Sequence, residues 1–223
     1  MPVFRLTEKL IFPLPELSEP DGLLCVGGDL SVERLLLAYS MGIFPWYSEK
    51  SPILWWSPDP RLVLFPSELK VSRSLKQTIK KGVYTVTFDK AFKGVIKNCA
   101  EVRSGKDSGT WITDEMRDAY IRLHKAGYAN SVEAWADNEL AGGLYGVELG
   151  SIFFGESMFA KKRDASKVAF VELVRFLSER GCNLIDCQVT TQHLVSLGAR
   201  EIPRKEFMRI LKKGLAGPAL SGI

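Results

Sequence analysis

The chain has 223 residues, 46% of them hydrophobic and 25% charged, with a formal net charge of +4. This is the composition of an average globular protein, which argues against a disordered chain and allows one large domain or two small ones. No run approaches the ~20 apolar residues of a membrane-spanning helix, and no signal peptide is visible at the N-terminus. The four cysteines are scattered, which favours reduced thiols over a disulfide framework. We therefore expect a cytoplasmic protein without a membrane partner.

The first part of the chain predicts a small α/β domain. A short strand at 23–26 leads into a helix that Ser31 can cap and Gly42 can end. A proline-rich run follows and carries three of the five tryptophans: Trp46, Trp55 and Trp56. Prolines disfavour a regular helix or a central strand there, so we expect a rigid, irregular backbone that presents aromatic rings for stacking. The run separates a domain at residues 1–65 from a second domain at residues 66–223.

The rest of the chain predicts a sheet covered by helices. In chain order, the predicted elements are a helix capped by Ser72, a strand at 84–88, helices at 89–100 and from Thr113, strands at 129–136, 139–147 and 151–154, a helix at 166–180, a strand at 184–189 and a short helix at 191–197. Asp137 and Asn138 would form the tight turn of an antiparallel hairpin. The order strand, strand, strand, helix, strand, helix is that of acetyltransferase-like (GNAT) folds. We therefore predict an α+β fold, in which a mixed, mostly antiparallel sheet is flanked by helices.

Isolated polar side chains interrupt two of the apolar strands. Asp186 and Gln188 are two residues apart on one strand, so we expect them on the same face. Glu156 follows the apolar residues Phe153 and Phe154. A satisfied pair at a strand end and a surface turn are the structural alternatives, but a purely structural strand would avoid such groups. A carboxylate can hold an ammonium group or accept its proton, whereas a glutamine amide can only orient it.

Other chemistries have weaker support in the sequence. Cys187 and His193 could form a nucleophile pair, but Cys187 should face away from Asp186 and no third group orients the histidine. The histidines and cysteines lack zinc-ligand spacing. The loop at 160–167 has no glycines to expose backbone amides to a pyrophosphate, which argues against coenzyme A. We expect no metal and no coenzyme.

Six ordered segments resemble one family. They are GGDLS at 27–31, GIFPW at 42–46, LWWSPDPR at 54–61, GTWI at 109–112, GESMF at 155–159 and IDCQV at 185–189. Together they are similar to the leucyl/phenylalanyl-tRNA–protein transferases of bacteria, over about residues 6–211. The resemblance implies an enzyme that moves Leu or Phe, and less readily Met, from aminoacyl-tRNA to proteins that begin with Arg or Lys. The new N-terminus would mark these proteins for degradation. The family uses no metal or coenzyme.

The resemblance also implies roles for individual residues. Asp186 and Gln188 would position and deprotonate the acceptor amine, and Glu156, together with Asp186, would receive the Arg or Lys side chain. The terminal adenosine would be held by Trp46, Trp111, Tyr39 and Tyr120. The apolar amino-acid pocket would be formed by Phe153, Met158, Leu144, Ile185 and Gly155. The tRNA phosphates would be bound by Arg73, Lys76, Lys80 and Lys81. A solvated helix face is the ordinary interpretation of such a cluster.

Two other functions remain as alternatives. A coenzyme-A-dependent N-acyltransferase could use the same fold. The aromatic residues and basic clusters alone would also suit an RNA-binding module without catalytic activity.

Overall fold

The computed structural model describes residues 3–104 and 112–217. The strands are β1 (Phe4–Leu6), β2 (Leu23–Gly27), β3 (Phe44–Pro45), β4 (Leu54–Trp56), β5 (Arg61–Leu64), β6 (Thr85–Phe88), β7 (Ala129–Ala136), β8 (Glu139–Leu149), β9 (Ile152–Ala160), β10 (Leu184–Gln188) and β11 (Arg200–Ile202). The α-helices are α1 (Val32–Ser40), α2 (Arg73–Lys80), α3 (Phe92–Ser104), α4 (Asp114–Lys125), α5 (Ala165–Glu179), α6 (Gln192–Ser196) and α7 (Arg204–Ala216). Within the described residues, no helix is long and apolar enough to cross a membrane.

Several helices begin where the sequence predicts. The hydroxyls of Ser31, Ser72 and Thr113 accept hydrogen bonds from backbone N–H groups three residues ahead. Such a bond satisfies one of the amides that the first turn of a helix leaves unpaired. Gly42 follows α1 with a φ of +69°, a conformation that glycine adopts without strain.

The N-terminal sheet has the strand order β1-β2-β4-β3. Its strand β4 pairs with both β2 and β3, so Trp55 and Trp56 lie in an inner strand. The expectation that the proline-rich run excludes a central strand is therefore wrong. The strand is only three residues long, and Pro52 and Pro58 lie outside it, so no ladder amide is lost.

The larger sheet has the order β11-β5-β10-β9-β8-β7-β6, and every pairing except that of β9 with β10 is antiparallel. The predicted hairpin is confirmed as β7 and β8, and Asp137 and Asn138 both take positive φ in its turn. The predicted order of elements is confirmed as β7, β8, β9, α5, β10, α6. The α+β fold with a mixed sheet flanked by helices is thus the observed one.

The helices build two apolar cores. One contains residues of α3, α4 and α7 and continues into α1 and the N-terminal sheet. The other lies under α5, with Leu75 of α2 at its edge. Strand β5 belongs to the larger sheet, where it pairs with β10 and β11. We propose that the two units divide between β4 and β5, a few residues before the boundary that the sequence suggests.

Strands β9 and β10 diverge part-way along their length. They pair only from Ile152 to Phe154 on one strand and from Leu184 to Asp186 on the other. Beyond that point β9 follows β8, and its register is broken between Gly155 and Ser157, which leaves Glu156 as the extra residue of a bulge. The divergence opens a cavity in the middle of the sheet.

Candidate active site

The cavity between the diverging strands has a volume of about 490 Å³. Its walls come from β3, β8, β9, α5, β10 and the start of α6. All five residues predicted for the amino-acid pocket border it: Leu144, Phe153, Gly155, Met158 and Ile185. Phe170 and Leu173 of α5 close the same apolar end. A side chain of the size of Leu or Phe can lose its water contacts in such a space.

Glu156 brings a carboxylate to the cavity wall. It is almost fully buried, and three side chains hold it. Its Oε1 accepts hydrogen bonds from the Tyr39 hydroxyl at 2.8 Å and from Gln188 Nε2 at 3.0 Å. Its Oε2 accepts one from the Tyr120 hydroxyl at 2.7 Å, and the two tyrosine hydroxyls also contact each other. The carboxylate is therefore fixed in orientation before any ligand arrives.

The surroundings of Glu156 bring its titration close to neutral pH. Burial raises the pKa of the carboxyl group from 4.5 to about 7. The hydrogen bonds from Tyr120, Tyr39 and Gln188 oppose this shift, and the charge of Asp186 adds to it. Burial also raises the pKa of both tyrosines well above 10, so their hydroxyls stay protonated donors. Near neutral pH, Glu156 is thus present in both protonation states.

Asp186 is fully buried and does not border the cavity. Arg61 Nε and Nη2 donate to its two oxygens at 2.8 Å and 2.7 Å, which forms a bidentate ion pair. The Arg61 guanidinium lies 4.7 Å from the ring centres of both Phe44 and Phe207. The backbone N–H of Gln188 donates to Asp186 Oδ1 at 3.0 Å. Asp186 therefore contacts the site through Gln188.

Gln188 reaches the cavity with an unusual backbone conformation. Its φ is +63°, and the pairing of β10 with β5 shifts between Asp186 and Gln188. The regular alternation from which we expected the two side chains on one face is therefore interrupted. The amide of Gln188 borders the cavity beside Glu156, whereas the Asp186 carboxylate lies against Arg61.

Arg61 was not among the sequence candidates, although the sequence contains a signal for it. An arginine that directly opens the apolar strand Arg61–Leu64 is a candidate for burial with that strand, and a buried arginine needs an anionic partner. Which carboxylate that would be could not be read from the sequence, because Asp186 lies 125 residues further along the chain.

Comparisons with known proteins support a single family. The profile described as leucyl/phenylalanyl-tRNA protein transferase matches residues 63–212, and the profile of its N-terminal domain matches residues 28–59. A protein of that name from Syntrophobacter fumaroxidans is 65% identical over 96% of this chain and 92% of its own. One from Anaeromyxobacter sp. (strain K) is 60% identical over 100% and 95%. The chain belongs to this family.

As a member of the leucyl/phenylalanyl-tRNA–protein transferase family, the protein is an enzyme that transfers an aminoacyl group from tRNA to a protein. Among solved structures, it is similar to L-PGS from Bacillus licheniformis, with 12% identity, a TM-score of 0.42 and coverage of 76% of this chain and 54% of that one. It is also similar to an aminoglycoside N-acetyltransferase, with 14% identity, a TM-score of 0.37 and coverage of 57% and 87%.

In this transferase, the aromatic residues predicted to hold adenosine lie in different environments. Trp46 borders the mouth of the cavity, is 40% exposed and contacts Trp56 at 5.7 Å between ring centres. Tyr39 and Tyr120 are fully buried behind Glu156, and their hydroxyls are already engaged. Trp111 lies outside the described residues.

The predicted phosphate-binding residues share one exposed surface. Arg73, Lys76 and Lys80 lie on α2, and Lys81 caps its end; all four are exposed, while Leu75 fixes the helix to the core. Cys187 and His193 both border the cavity. Burial raises the pKa of the Cys187 thiol far above its usual range, so it stays protonated and is a poor nucleophile.

Proposed function

We propose that the enzyme transfers Leu or Phe, and less readily Met, from aminoacyl-tRNA to the α-amino group of proteins that begin with Arg or Lys. One observation carries this proposal. The same cavity joins an apolar pocket to a buried carboxylate and an oriented amide, at Glu156 and Gln188. The pocket suits the donor side chain, and the carboxylate suits a cationic acceptor.

The chemistry needs little beyond positioning. The donor is an ester, which is already activated toward an amine. The acceptor α-amine has a pKa of ~7.7–8.0, so a useful fraction is neutral at pH 7. Holding an amine and an ester in line can be worth ~7–11 kcal/mol of the barrier. The enzyme can therefore act without a covalent intermediate of its own.

Gln188 is the residue that we propose for orienting the amine. Its amide nitrogen donates to Glu156, so its amide oxygen is directed elsewhere and can accept a hydrogen bond from the incoming amine. Asp186 acts through Gln188, because it holds the backbone N–H of that residue and is itself neutralised by Arg61. Glu156 is then the carboxylate that receives the Arg or Lys side chain, and Tyr39 and Tyr120 hold it in place.

Trp46 is the group that we propose for stacking on the terminal adenine, an interaction worth ~1–3 kcal/mol per base. Trp111 is proposed for the same base from the sequence alone. The pocket formed by Leu144, Phe153 and Met158 rejects polar side chains but separates Leu from Met poorly, since one methylene contributes only ~1–3 kcal/mol.

The transfer itself is tested with labelled Phe-tRNA and a peptide that begins with Arg. Label should enter this peptide and not its N-acetylated form, which lacks the nucleophile. Absence of transfer would leave only an RNA-binding role. Tight binding of coenzyme A would instead favour the N-acyltransferase alternative.

The role of Glu156 is tested with acceptors that differ only in charge. The wild-type enzyme should prefer a peptide beginning with Arg over one beginning with citrulline, which has the same shape without the charge. Glu156→Gln keeps the size and shape of the side chain but removes the anion and turns one acceptor oxygen into a donor, so this preference should fall at least tenfold, equivalent to ~1.4 kcal/mol. An unchanged preference would remove Glu156 from the acceptor site.

Degradation of the product and a cytoplasmic location are parts of the proposal that need a cellular test. A reporter protein with N-terminal Arg should be shorter-lived in cells that express the enzyme than in cells that express Gln188→Ala.

A further inference from the structure

A groove separate from the cavity lies beside it. Its volume is about 560 Å³, and it runs between the start of α2 and the turn that joins β9 to α5. Its lining consists of Ser72, Ser74, Ala160–Asp164, Ser166, Lys167 and His193. None of these residues belongs to the set proposed above for the acceptor, the amino acid or the adenine.

The groove carries an excess of positive charge. Lys161, Lys162, Arg163 and Lys167 line it against the single carboxylate of Asp164. Asp164 contacts Lys167 at 3.6 Å and Arg163 at 3.7 Å, distances at which one anion is shared between two cations. Lys162 contacts the highly exposed Asp137 at 3.0 Å. The groove therefore contains positively charged side chains that can bind an anionic ligand.

His193 connects the groove to the cavity, because it lines both. Its Nε2 is buried and has no hydrogen-bond partner among the described residues. Burial, followed by the charge of Lys167, lowers the pKa of His193, so the ring is neutral at neutral pH. A buried polar atom without a hydrogen-bond partner carries a free-energy cost. A ligand that passes between the two spaces would remove this cost.

We propose that the groove binds the phosphodiesters of the single-stranded 3′ end of the donor RNA, with His193 at the point where the chain leaves the cavity. This rests on the proposed function, because the donor must be an aminoacylated RNA. Trp46, proposed for the terminal adenine, lines the same cavity as His193, so the RNA that continues from the 5′ oxygen of the adenosine can leave the cavity past His193. The groove leads from there to Ser72 and Ser74 at the start of α2, and so to the exposed Arg73 and Lys76.

The loop at 160–167 gives an independent reason for this assignment. It contains no glycine, so it does not offer the exposed backbone amides that hold a compact pyrophosphate. It offers lysine and arginine side chains instead, which suit phosphates spaced along a flexible strand.

The test compares donor analogues of increasing length, in which each step adds one cytidine and one phosphate, and the salt dependence and the lysine variants report on the phosphate. A phenylalanyl group is joined by a stable amide to adenosine, to the dinucleotide CpA or to the trinucleotide CpCpA, and binding is measured by calorimetry at several salt concentrations. The wild-type enzyme should bind the dinucleotide at least tenfold more tightly than the nucleoside. Removing one cation that contacts a phosphate should reduce the slope of log K against log [salt] by about 0.7.

Lys161→Ala and Lys167→Ala should each show this reduction in the salt slope and should lose most of the affinity that the wild type gains from the dinucleotide. Both should bind the nucleoside analogue as the wild type does. His193→Ala should lose the gain from the first phosphate, and His193→Gln, which keeps an N–H donor, should recover part of it. Lys125→Ala is the matched control, because this exposed lysine ends α4, which packs against the other core. Its affinity for all three analogues should not change.

The proposal is overturned if the wild type binds the nucleoside and dinucleotide analogues equally, if Lys161→Ala and Lys167→Ala both keep the gain, or if coenzyme A competes for the groove more strongly than CpCpA. Transfer from Phe-tRNA is measured on the same preparations. An inactive wild type that still gains affinity from phosphates would refute the proposed function alone, whereas an active wild type without that gain would refute the groove alone.

Discussion

At the scale of single residues, Glu156 has the most unusual surroundings in the site. Its carboxyl group is buried, yet three donors surround it. Burial disfavours the anion and the hydrogen bonds favour it, and the net result is a pKa of about 7 instead of 4.5. This balance suits the role proposed for Glu156, in which a dehydrated carboxyl group becomes anionic beside the cation of the acceptor.

The raised pKa predicts a specific pH dependence of stability. Because the native state holds the proton more tightly than the unfolded chain, the stabilising contribution is fully present below pH 4.5 and is lost as the pH rises through about 7. The free energy of unfolding of the wild type, minus that of Glu156→Gln, should therefore fall by about 3 kcal/mol across this range. Urea denaturation at pH 4.5, 6 and 8 measures this difference.

A second carboxyl group, that of Glu148, does not affect this difference. Burial raises its pKa to about 7 as well, so it contributes a similar slope to both proteins and cancels in the subtraction. A difference between wild type and Glu156→Gln that does not vary with pH would show that the pKa of Glu156 is not raised in the native state.

The pair of Arg61 and Asp186 predicts a separation of stability from activity. Asp186→Ala or Arg61→Met leaves a buried charge without its partner and should cost ~3–5 kcal/mol of unfolding free energy. The double variant Arg61→Met/Asp186→Leu removes both charges and should recover most of that loss. Its kcat should stay low, because the backbone N–H of Gln188 has lost its acceptor. Recovery of full kcat by the double variant would show that Asp186 has a purely structural role.

At the scale of elements, the approach of α5 to strand β8 depends on a missing side chain. A Cβ at Gly142 would lie 2.6 Å from Ala165 Cβ and 2.8 Å from the backbone nitrogen of Ser166. Neither atom can swing away as the end of a long side chain could. The start of α5 therefore sits close to the sheet, and the basic turn before it is held where it lines the groove.

Gly142→Ala should consequently destabilise the enzyme by ~1–3 kcal/mol, which corresponds to a fall in Tm of about 2–12 °C for a chain of this size. Gly94→Ala is the control. Gly94 lies in α3, and its nearest neighbour would be 3.5 Å from the new Cβ, so alanine should leave Tm unchanged or raise it. Thermal unfolding followed by circular dichroism separates the two. Equal Tm values for wild type and Gly142→Ala would mean that α5 can move away at no cost.

Elements with a local chemical signal could be predicted from the sequence. Helix starts are indicated by Ser31, Ser72 and Thr113, because the capping hydrogen bond involves only neighbouring residues. Asp137 and Asn138 indicate a hairpin, because a tight hairpin turn needs two consecutive residues with positive φ and few residue types tolerate that conformation. By contrast, the three-residue β4 is a strand only because β2 and β3 lie on either side of it, and local pattern does not reveal partners.

The candidate site shows the same limit. The residues of its apolar lining came from the resemblance, and all of them border the cavity; regular alternation alone would put Phe153 and Met158, five residues apart, on opposite faces of β9. The two interruptions that shape the site could not be predicted. Glu156 sits in a bulge and Gln188 takes positive φ, and both depend on strands that separate in three dimensions. Regular alternation therefore put Asp186 beside Gln188, whereas Arg61 draws the carboxylate away from the cavity.

At the scale of the whole molecule, α7 ties the two sheets together. The backbone N–H of Arg204 donates to Asp59 at 2.9 Å, and its guanidinium donates to the carbonyl of Ser57 at 2.5 Å and contacts the Ser18 hydroxyl. Further along the helix, Phe207 and Met208 pack directly against Gly42, where an added Cβ would lie 2.8 Å from each. The apolar core under α3 and α4 continues without a break into the N-terminal sheet.

A shared core predicts that both units unfold in one transition. Trp46, Trp55 and Trp56 report on the smaller unit, so the variant Trp111→Phe/Trp135→Phe has tryptophan fluorescence from that unit alone. In urea, its fluorescence midpoint should coincide with the midpoint from far-ultraviolet circular dichroism, which reports on all helices and strands. Arg204→Ala weakens the link and should lower both midpoints by the same amount. A fluorescence change that precedes the circular dichroism change would show that the N-terminal sheet opens independently, and Trp46 would then be poorly fixed at the mouth of the cavity.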